Sequence, residues 1–205
     1  SGAIAMGVGK LSLLSRPEDM PTKQAAAAVG QCELMYTYDK LFSEYGHTVG
    51  QVLVTGSDLG DGARYENFRN TLNRLIEMRV LPIINENDTV STEEISLGDN
   101  DTLGAIVAVG ANADLLILLS DIEGLYTSDP HVNSDASLVP AVYKIDEDLL
   151  SNAGGAGTAR GTGGMQTKLH AASICMENGI DMIIADGSRP TLLYDIADGK
   201  PVGTK

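Results

Sequence analysis

Four apolar runs, each closed by polar or small residues, indicate buried β-strands. They cover Val49–Thr55, Arg79–Asn85, Ala113–Asp121 and Gly179–Asp186. Nearly continuous apolar character is typical of strands that are covered on both faces. Between them, helical patterns predict helices over Thr22–Tyr45, Ala63–Met78, Asp101–Ala111 and Met165–Asn178. This alternation of strands and helices predicts an α/β fold with a largely parallel sheet.

Length and composition favour an ordinary globular domain. The 205 residues, 43% of them hydrophobic, suffice to bury a sizeable core. No apolar run has the length of a membrane span, and no leader pattern precedes a cleavage site. With only Cys32 and Cys175 present, a disulfide framework is not expected, and both cysteines are predicted to be small core residues. The chain is therefore expected to be cytoplasmic.

The net charge of -14 argues against a nucleic-acid-binding protein. A duplex-binding domain needs a basic face that displaces counterions from phosphates. The absence of Trp and the presence of only two Phe leave few surfaces for base stacking. If the ligand is anionic, its binding charge has to be local and come from a few cationic side chains, backbone amides or a metal ion.

Polar residues gather directly after two of the predicted strands. Asn85, Glu86, Asn87 and Asp88 follow the second strand, and the third strand ends in Ser120-Asp121. Ligands of parallel sheets collect beyond the carboxyl ends of the strands. The Asp186-Gly187 pair after the last strand is typical of a turn instead.

The chemistry of the Asn-rich cluster leaves three interpretations open. Asn85 and Asn87 can donate amide hydrogens to a carboxylate while Asp88 accepts from an ammonium group, a mixture that suits a zwitterionic amino acid. The same oxygens suit Mg²⁺, although the spacing of a calcium-binding EF-hand is absent. The third interpretation is a turn followed by a capped helix at Asp99–Asp101. The three histidines lack metal-ligand spacing, which disfavours a zinc site.

A glycine-rich segment, Ala153–Gly164, leads into the last long helix. Exposed amides at the start of that helix, together with Lys168, would stabilise an anion such as a phosphate. The spacing does not match the GxxxxGK[ST] phosphate loop, and a surface loop followed by an ordinary helical lysine is the alternative. The segment Ser120–Pro130 suits contact with the ribose or base of a nucleotide, or is a routine exit from a strand.

Five motifs in order resemble one enzyme family. They are SGAIAMG (Ser1–Gly7), KQAAAAVGQ (Lys23–Gln31), NENDTVSTEEISLGDND (Asn85–Asp101), LLILLSDIEGLYTSDP (Leu115–Pro130) and GTGGMQTK (Gly161–Lys168). Together they closely resemble the glutamate 5-kinases of the amino acid kinase family, and the kinase half of pyrroline-5-carboxylate synthases. The likeness covers nearly the whole chain, to the final VGTK.

The resemblance implies an open, mainly parallel sheet sandwiched between helices. It implies ATP-dependent phosphorylation of the γ-carboxylate of L-glutamate with Mg²⁺, the first step of proline biosynthesis, often restrained by proline. Residues that resemble glutamate-binding positions are Ser1, Asp88 and Asn100, to which we add Asn85 and Asn87. Residues that resemble ATP-binding positions are Ser120, Asp121, Thr162, Gly163, Gly164, Met165, Gln166, Thr167 and Lys168. Asp101 resembles an acidic position near the reaction centre, and we predict that Lys168 and Asp101 are catalytic.

The likeness also leads us to expect a single amino acid kinase domain over residues 1–205. Family members begin with a strand and a glycine-containing loop that bears a phosphate-contacting lysine, and this sequence starts after that unit. We therefore expect an N-terminally truncated chain. We likewise expect no PUA-type domain, which many bacterial members carry.

The sequence is compatible with two alternative functions and with a homo-oligomeric state. One rival is a non-catalytic module that binds glutamate, proline or a nucleotide; the other is a sister kinase acting on acetylglutamate, aspartate, carbamate or UMP. Since a carboxylate substrate is already ionised near neutral pH, no general base is required. We expect a homo-oligomer, dimer or tetramer, in which the Thr22–Tyr45 helix and a polar loop at Gly56–Phe68 face a partner subunit.

Overall fold

The computed structural model describes residues 2–91, 99–128, 130, 132–147, 149 and 164–205. The chain divides into two compact units, Ser1–Asn100 and Asp101–Lys205. Each unit contributes one pair of parallel strands with helices packed against it.

The described part of the first unit contains four helices and two strands. In chain order these are α1 (Ala3–Lys10), α2 (Met20–Ser43), β1 (Thr48–Val54), α3 (Gly56–Gly60), α4 (Gly62–Glu77) and β2 (Val80–Glu86). The strands β1 and β2 are parallel, with Thr48 opposite Val80 and Val54 opposite Glu86. Both strands consequently end at the same edge, which places the polar residues after β2 beside the end of β1.

Local capping explains where several of these helices begin. The Asp19 side chain accepts a hydrogen bond from the Thr22 amide at the start of α2. Thr55 and Asp58 form a reciprocal capping box that starts α3, and Asp61 caps α4. The predicted polar loop at Gly56–Phe68 is therefore wrong, because most of this segment belongs to α3 and α4.

Helices α1 and α2 cross at two glycines. A methyl group built on Gly30 would lie 2.5 Å from the Gly7 amide nitrogen and 2.7 Å from the Ala3 carbonyl carbon. A methyl group on Gly7 would likewise meet the Ala26 backbone, 2.6 Å from its carbonyl carbon. Only hydrogen fits at these two positions, so the two backbones touch directly and fix the position of α1.

The second unit follows from α5 (Asn100–Gly110), which begins at the last residue of the first unit. The further elements bounded within its described residues are β3 (Leu115–Ser120), α6 (Met165–Glu177), β4 (Asp181–Asp186) and α7 (Leu192–Ala197). The strands β3 and β4 are parallel, with Leu115 opposite Asp181 and Ser120 opposite Asp186. The chain end lies against β4, where Thr204 forms an antiparallel bridge to Ile184.

Small side chains dominate the core of the second unit. Its buried cluster consists of Ala105, Ala108, Leu118, Ala171, Cys175 and Ile180. These residues come from α5, β3, α6 and the start of β4, so both helices pack against this strand pair. Close packing of small residues holds α5 and α6 near the sheet.

The predicted α/β fold with parallel strands is confirmed. All four predicted strands and all four predicted helices are present, with every end within two residues of its predicted position. The short helices α1, α3 and α7 were not predicted. Both cysteines are free; Cys175 is buried as expected, whereas Cys32 is exposed, so the prediction for Cys32 is wrong. Among the described residues, no helix has the length and apolar character needed to cross a membrane.

Candidate functional site

A largely buried ion pair joins the first turns of α5 and α6. The Lys168 ammonium lies 2.9 Å from Oδ2 of Asp101, with 7% of the lysine side chain and 20% of the aspartate side chain exposed. The Thr167 hydroxyl lies 3.0 Å from the same oxygen. Burial of an ammonium group is costly unless the group is paired. Asp101 supplies one partner, and the ammonium group has no other hydrogen-bond partner within the described ranges, so it can also donate to an anion.

The N-terminus of α6 lies at the same point. Its capping residue, Gly164, has no side chain with which to bond the first amides. The amide and hydroxyl of Thr167 turn back to the Gly164 carbonyl. The amides of Met165 and Gln166 in this first turn have no partner within the helix. Together with Lys168, they form positive potential suited to a phosphate group.

A second polar group lies at the ends of β3 and β4. The Ser120 hydroxyl donates to Asp121, 3.1 Å away, and the Ser120 carbonyl accepts from the Gly187 amide at 2.7 Å. Asp186 accepts from Ser188 and from Arg189, and these donors hold the pKa of Asp186 below its ordinary value. The predicted Asp186-Gly187-Ser188 turn is confirmed.

The order of elements brings these two groups to one edge of the strand pair. Helices α5 and α6 each lead through a short turn into β3 and β4, and both pack against those strands. A helix in that arrangement runs antiparallel to the strand that it precedes. Its 11 to 13 residues rise about 16 to 20 Å, which matches a six-residue strand of about 20 Å. The helix starts therefore lie level with the strand ends.

In the first unit, the residues that follow β2 fold into a tight turn. Asn85, the penultimate residue of β2, is 3% exposed and its amide donates to Oε1 of Gln31 on α2, 3.2 Å away. The backbone amide of Asn87 donates to the Val54 carbonyl, and the backbone carbonyl of Asn87 accepts from the amides of Val90 and Ser91. These bonds hold the Asn-rich segment against the end of β1.

Asp88 lies half-buried within this turn. Burial, with a further contribution from the nearby Glu86 carboxylate, raises the pKa of Asp88 above its ordinary value, while Arg16 opposes the shift. A carboxylate held in such surroundings gains by meeting a cation. The site is consequently complementary to an ammonium group.

The structure brings some of the predicted site residues together and leaves others apart. Asp101, Thr167, Lys168 and Gly164 form one contacting cluster, and Ser120 contacts Asp121. Asn85 and Asp88 belong to the turn of the first unit. Asn100 is exposed at the first position of α5. Ser1, Thr162 and Gly163 lie outside the described residues.

Comparison with known proteins decides the family. The sequence model of the amino acid kinase family matches residues 2–186. The chain belongs to the amino acid kinase family. Among curated relatives of this amino acid kinase, the glutamate 5-kinase of Clostridium tetani is 56% identical over 204 residues and is covered over 76% of its length. The glutamate 5-kinase of Caldanaerobacter subterraneus is 50% identical and is covered over 55%. Both matches span the whole of this chain.

Solved structures confirm the amino acid kinase fold. The UMP kinase of Bacillus anthracis matches 96% of the chain and 71% of its own length, with a TM-score of 0.62 and 15% identity. The isopentenyl phosphate kinase of T. acidophilum matches 97% of the chain and 77% of its own length, with a TM-score of 0.59 and 17% identity. At such low identity the likeness extends to the fold alone.

Sequence reasoning missed two polar residues of this amino acid kinase that lie beside the predicted ones. Gln31 contacts Asn85, and Arg189 contacts Asp186 at the end of β4. Gln31 stands in a run of small helical residues, which predicts burial without naming its partner. Arg189 follows a turn signal, and nothing in the local pattern separates it from other surface cations.

Proposed function

We propose that this chain is a glutamate 5-kinase that transfers the γ-phosphoryl group of ATP to the γ-carboxylate of L-glutamate, the first step of proline biosynthesis. The observation that carries the proposal is the buried Lys168–Asp101 pair beside the first amides of α6. Such a group suits phosphoryl transfer, in which the protein supplies mainly positioning and charge stabilisation. The identity to glutamate 5-kinases supports glutamate as the acceptor.

Lys168 acts on the phosphate side of the reaction. Its ammonium offsets the negative charge shared by the phosphate oxygens as the bond to the leaving group breaks. Asp101 holds the lysine in place through the 2.9 Å ion pair and compensates the burial of its ammonium group. The first amides of α6 bind the same anion, and Ser120 with Asp121 bind the nucleotide at the neighbouring strand end.

Magnesium fits this site as an ion carried mainly by ATP. Among the described residues, no group of three or more His, Cys, Asp or Glu residues could hold a metal ion. Mg²⁺ in kinases is commonly bound by substrate phosphates and only one or two carboxylates. Asp101 would serve as the protein ligand, since the contacts to Lys168 and Thr167 involve only its Oδ2 atom. When bound, the ion supplies further neutralisation of phosphate charge.

The turn after β2 binds the amino-acid end of glutamate. The Asp88 carboxylate accepts from the α-ammonium group. The side-chain amides of Asn85 and Asn87 donate to the substrate carboxylates. Asn100 helps to orient the substrate. Amides bind carboxylates without the repulsion that more acidic residues would add. The glutamate γ-carboxylate attacks the γ-phosphorus without a general base, because it is already ionised.

Three further expectations accompany this function. Inhibition by proline is implied by the family resemblance, whereas a cytoplasmic location and a homo-oligomeric assembly were inferred from the sequence; all three stay predictions. The same holds for the single kinase domain over residues 1–205.

Glutamate-dependent ADP formation tests the proposed function. With ATP and Mg²⁺, ADP is expected to appear when L-glutamate is added, and not with aspartate, acetylglutamate, carbamate or UMP. The Clostridium tetani glutamate 5-kinase serves as the positive control in the same assay. ADP formation with one of the other acceptors would contradict the assignment of glutamate. Calorimetric binding of glutamate without ADP formation would show a non-catalytic module instead.

Replacing Asp88 with asparagine is expected to raise the KM for glutamate about 10- to 100-fold, the range for loss of a hydrogen bond to a charged group. The KM for ATP should stay within about threefold of that of the unaltered protein, because Asp88 is proposed to bind only the ammonium group of glutamate. Steady-state kinetics at saturating ATP measure the effect. The exposed Asp39→Asn provides a control for the loss of one negative charge. A change confined to the KM for ATP would contradict the role of Asp88.

The same Asp88 variant is expected to unfold at a higher temperature when glutamate is absent. The pKa of Asp88 is raised in the folded protein, so ionisation of Asp88 disfavours folding at every pH above that raised value. Asparagine removes this cost at pH 7. The gain should shrink as the pH falls through the raised pKa toward the ordinary value of 3.8. Thermal unfolding at several pH values measures it.

A further inference from the structure

Gln31 is the one polar residue among the buried positions of α2. The others are Ala26, Ala27 and Gly30, whose side chains offer no hydrogen-bond partner. Gln31 itself is only 7% exposed. A glutamine rarely occupies so buried a position unless its amide has partners there.

Only one of the two polar atoms in the Gln31 side-chain amide has a hydrogen-bond partner. Oε1 accepts from the Asn85 amide, 3.2 Å away. Nε2 has no hydrogen-bond partner, although it is buried, and it is the only buried side-chain nitrogen or oxygen in this state within the described ranges. An unpaired buried donor weakens the folded state. A native protein that keeps such a group commonly uses it to bind something.

The helix face that carries Gln31 contacts the turn after β2. Gln24 precedes Gln31 by seven residues, which is two helical turns, so both side chains project from one face of α2. The Gln24 amide donates to the Ser91 carbonyl at 3.3 Å, and Gln31 contacts Asn85. This face therefore meets the segment Asn85–Ser91 near both of its ends. The half-buried Asp88 lies between them in the sequence.

The chemistry of an α-amino acid fits this juxtaposition. Its ammonium group and its α-carboxylate are bonded to the same carbon, so the groups that bind them have to be neighbours. Asp88 offers a carboxylate for the ammonium group. A carboxylate, which only accepts hydrogen bonds, is the natural partner of the unpaired amide donor.

We propose that Gln31 donates from Nε2 to the α-carboxylate of the substrate and, paired with Asn85, selects acceptors that carry one. This inference rests on the proposed function, and it adds a binding residue to that site. The buried amide is satisfied only when the substrate is present. Acceptors without an α-carboxylate leave it unpaired and are disfavoured.

Kinetics of the Gln31→Met variant test the proposal. The KM for L-glutamate is expected to rise about 10- to 100-fold, as for loss of a hydrogen bond to a charged group. The KM for ATP should stay within about threefold. The inhibition constant of 4-aminobutyrate, which is glutamate without its α-carboxylate, should also stay within about twofold. If Gln31 only supports the fold, its replacement would weaken the binding of glutamate and of 4-aminobutyrate to a similar extent.

The Gln24→Met variant is the matched comparison. It makes the same substitution on the same helix face, at an amide already bonded to a backbone carbonyl. Its KM for glutamate is expected to stay within about threefold of the unaltered protein. An unchanged KM in Gln31→Met, or equal rises in both variants, would overturn the proposal. If the unaltered protein phosphorylates another acceptor, the proposed function fails before either variant is compared.

Discussion

Replacing Lys168 with methionine is expected to lower kcat for glutamate-dependent ADP formation about 10³-fold, the upper range for removal of one group that stabilises transition-state charge. Methionine has similar length but no charge, so the phosphate oxygens lose the positive charge of the Lys168 ammonium group. Glutamate binds elsewhere in the proposed site, and its KM should change by less than about threefold. Steady-state kinetics with saturating ATP measure both constants.

Two controls separate catalysis from folding in the Lys168 experiment. Lys10→Met removes the same charge from an ion pair of similar length, 2.8 Å to Glu33, but with 61% of the lysine side chain exposed. Exposed pairs contribute little, so this variant should keep normal kcat. The double variant Asp101→Asn, Lys168→Met avoids leaving Asp101 unpaired and is expected to fold while staying inactive. Near-normal kcat in a folded Lys168→Met variant would refute the catalytic assignment.

Replacing Gly30 with alanine is expected to lower the free energy of unfolding by about 3 kcal/mol, at the upper end of overpacking costs. The added methyl group would lie 2.5 Å from the Gly7 nitrogen and 2.7 Å from the Ala3 carbonyl carbon. Both neighbours are backbone atoms, so no side-chain rotation relieves the clash and the helices have to separate. The melting temperature should fall by about 6 to 12 °C.

Gly9→Ala is the matched control for this change. Gly9 lies in α1 as well, but a methyl group there would meet nothing within 4 Å. Because alanine favours helix by up to about 1 kcal/mol over glycine, Gly9→Ala should leave the melting temperature unchanged or slightly higher. A Gly30→Ala variant as stable as this control would show that the two helices do not depend on their close contact.

Local pattern predicted most of the secondary structure for identifiable reasons. The strands β1 to β4 are short apolar runs bounded by polar or small residues, a pattern typical of parallel strands. The prediction that they are buried on both faces is wrong for the described structure, because most of their residues are only partly buried. The helices α1, α3 and α7 are only 5 to 8 residues long. So short a segment has too few turns to show helical periodicity, and its helicity depends on caps and tertiary packing.

The candidate site could be predicted as a set of residues but only partly as an arrangement. Motif resemblance named Asp101 and Lys168, which lie 67 residues apart in the sequence. Their ion pair depends on α5 and α6 packing against the same strand pair, which no local pattern encodes. Gln31 was missed for the same reason, because its partner Asn85 is 54 residues away.

Periodicity and motif order are properties of short segments read one after another, so the α/β class, the order of elements and the family could be predicted from the residues alone. Tertiary structure alone decided that Lys168 is buried against Asp101, that Gly30 has no room for a methyl group and that the Gln31 amide is left unpaired. Burial and pairing depend on which distant segments meet, and that is settled by the packing of the whole unit.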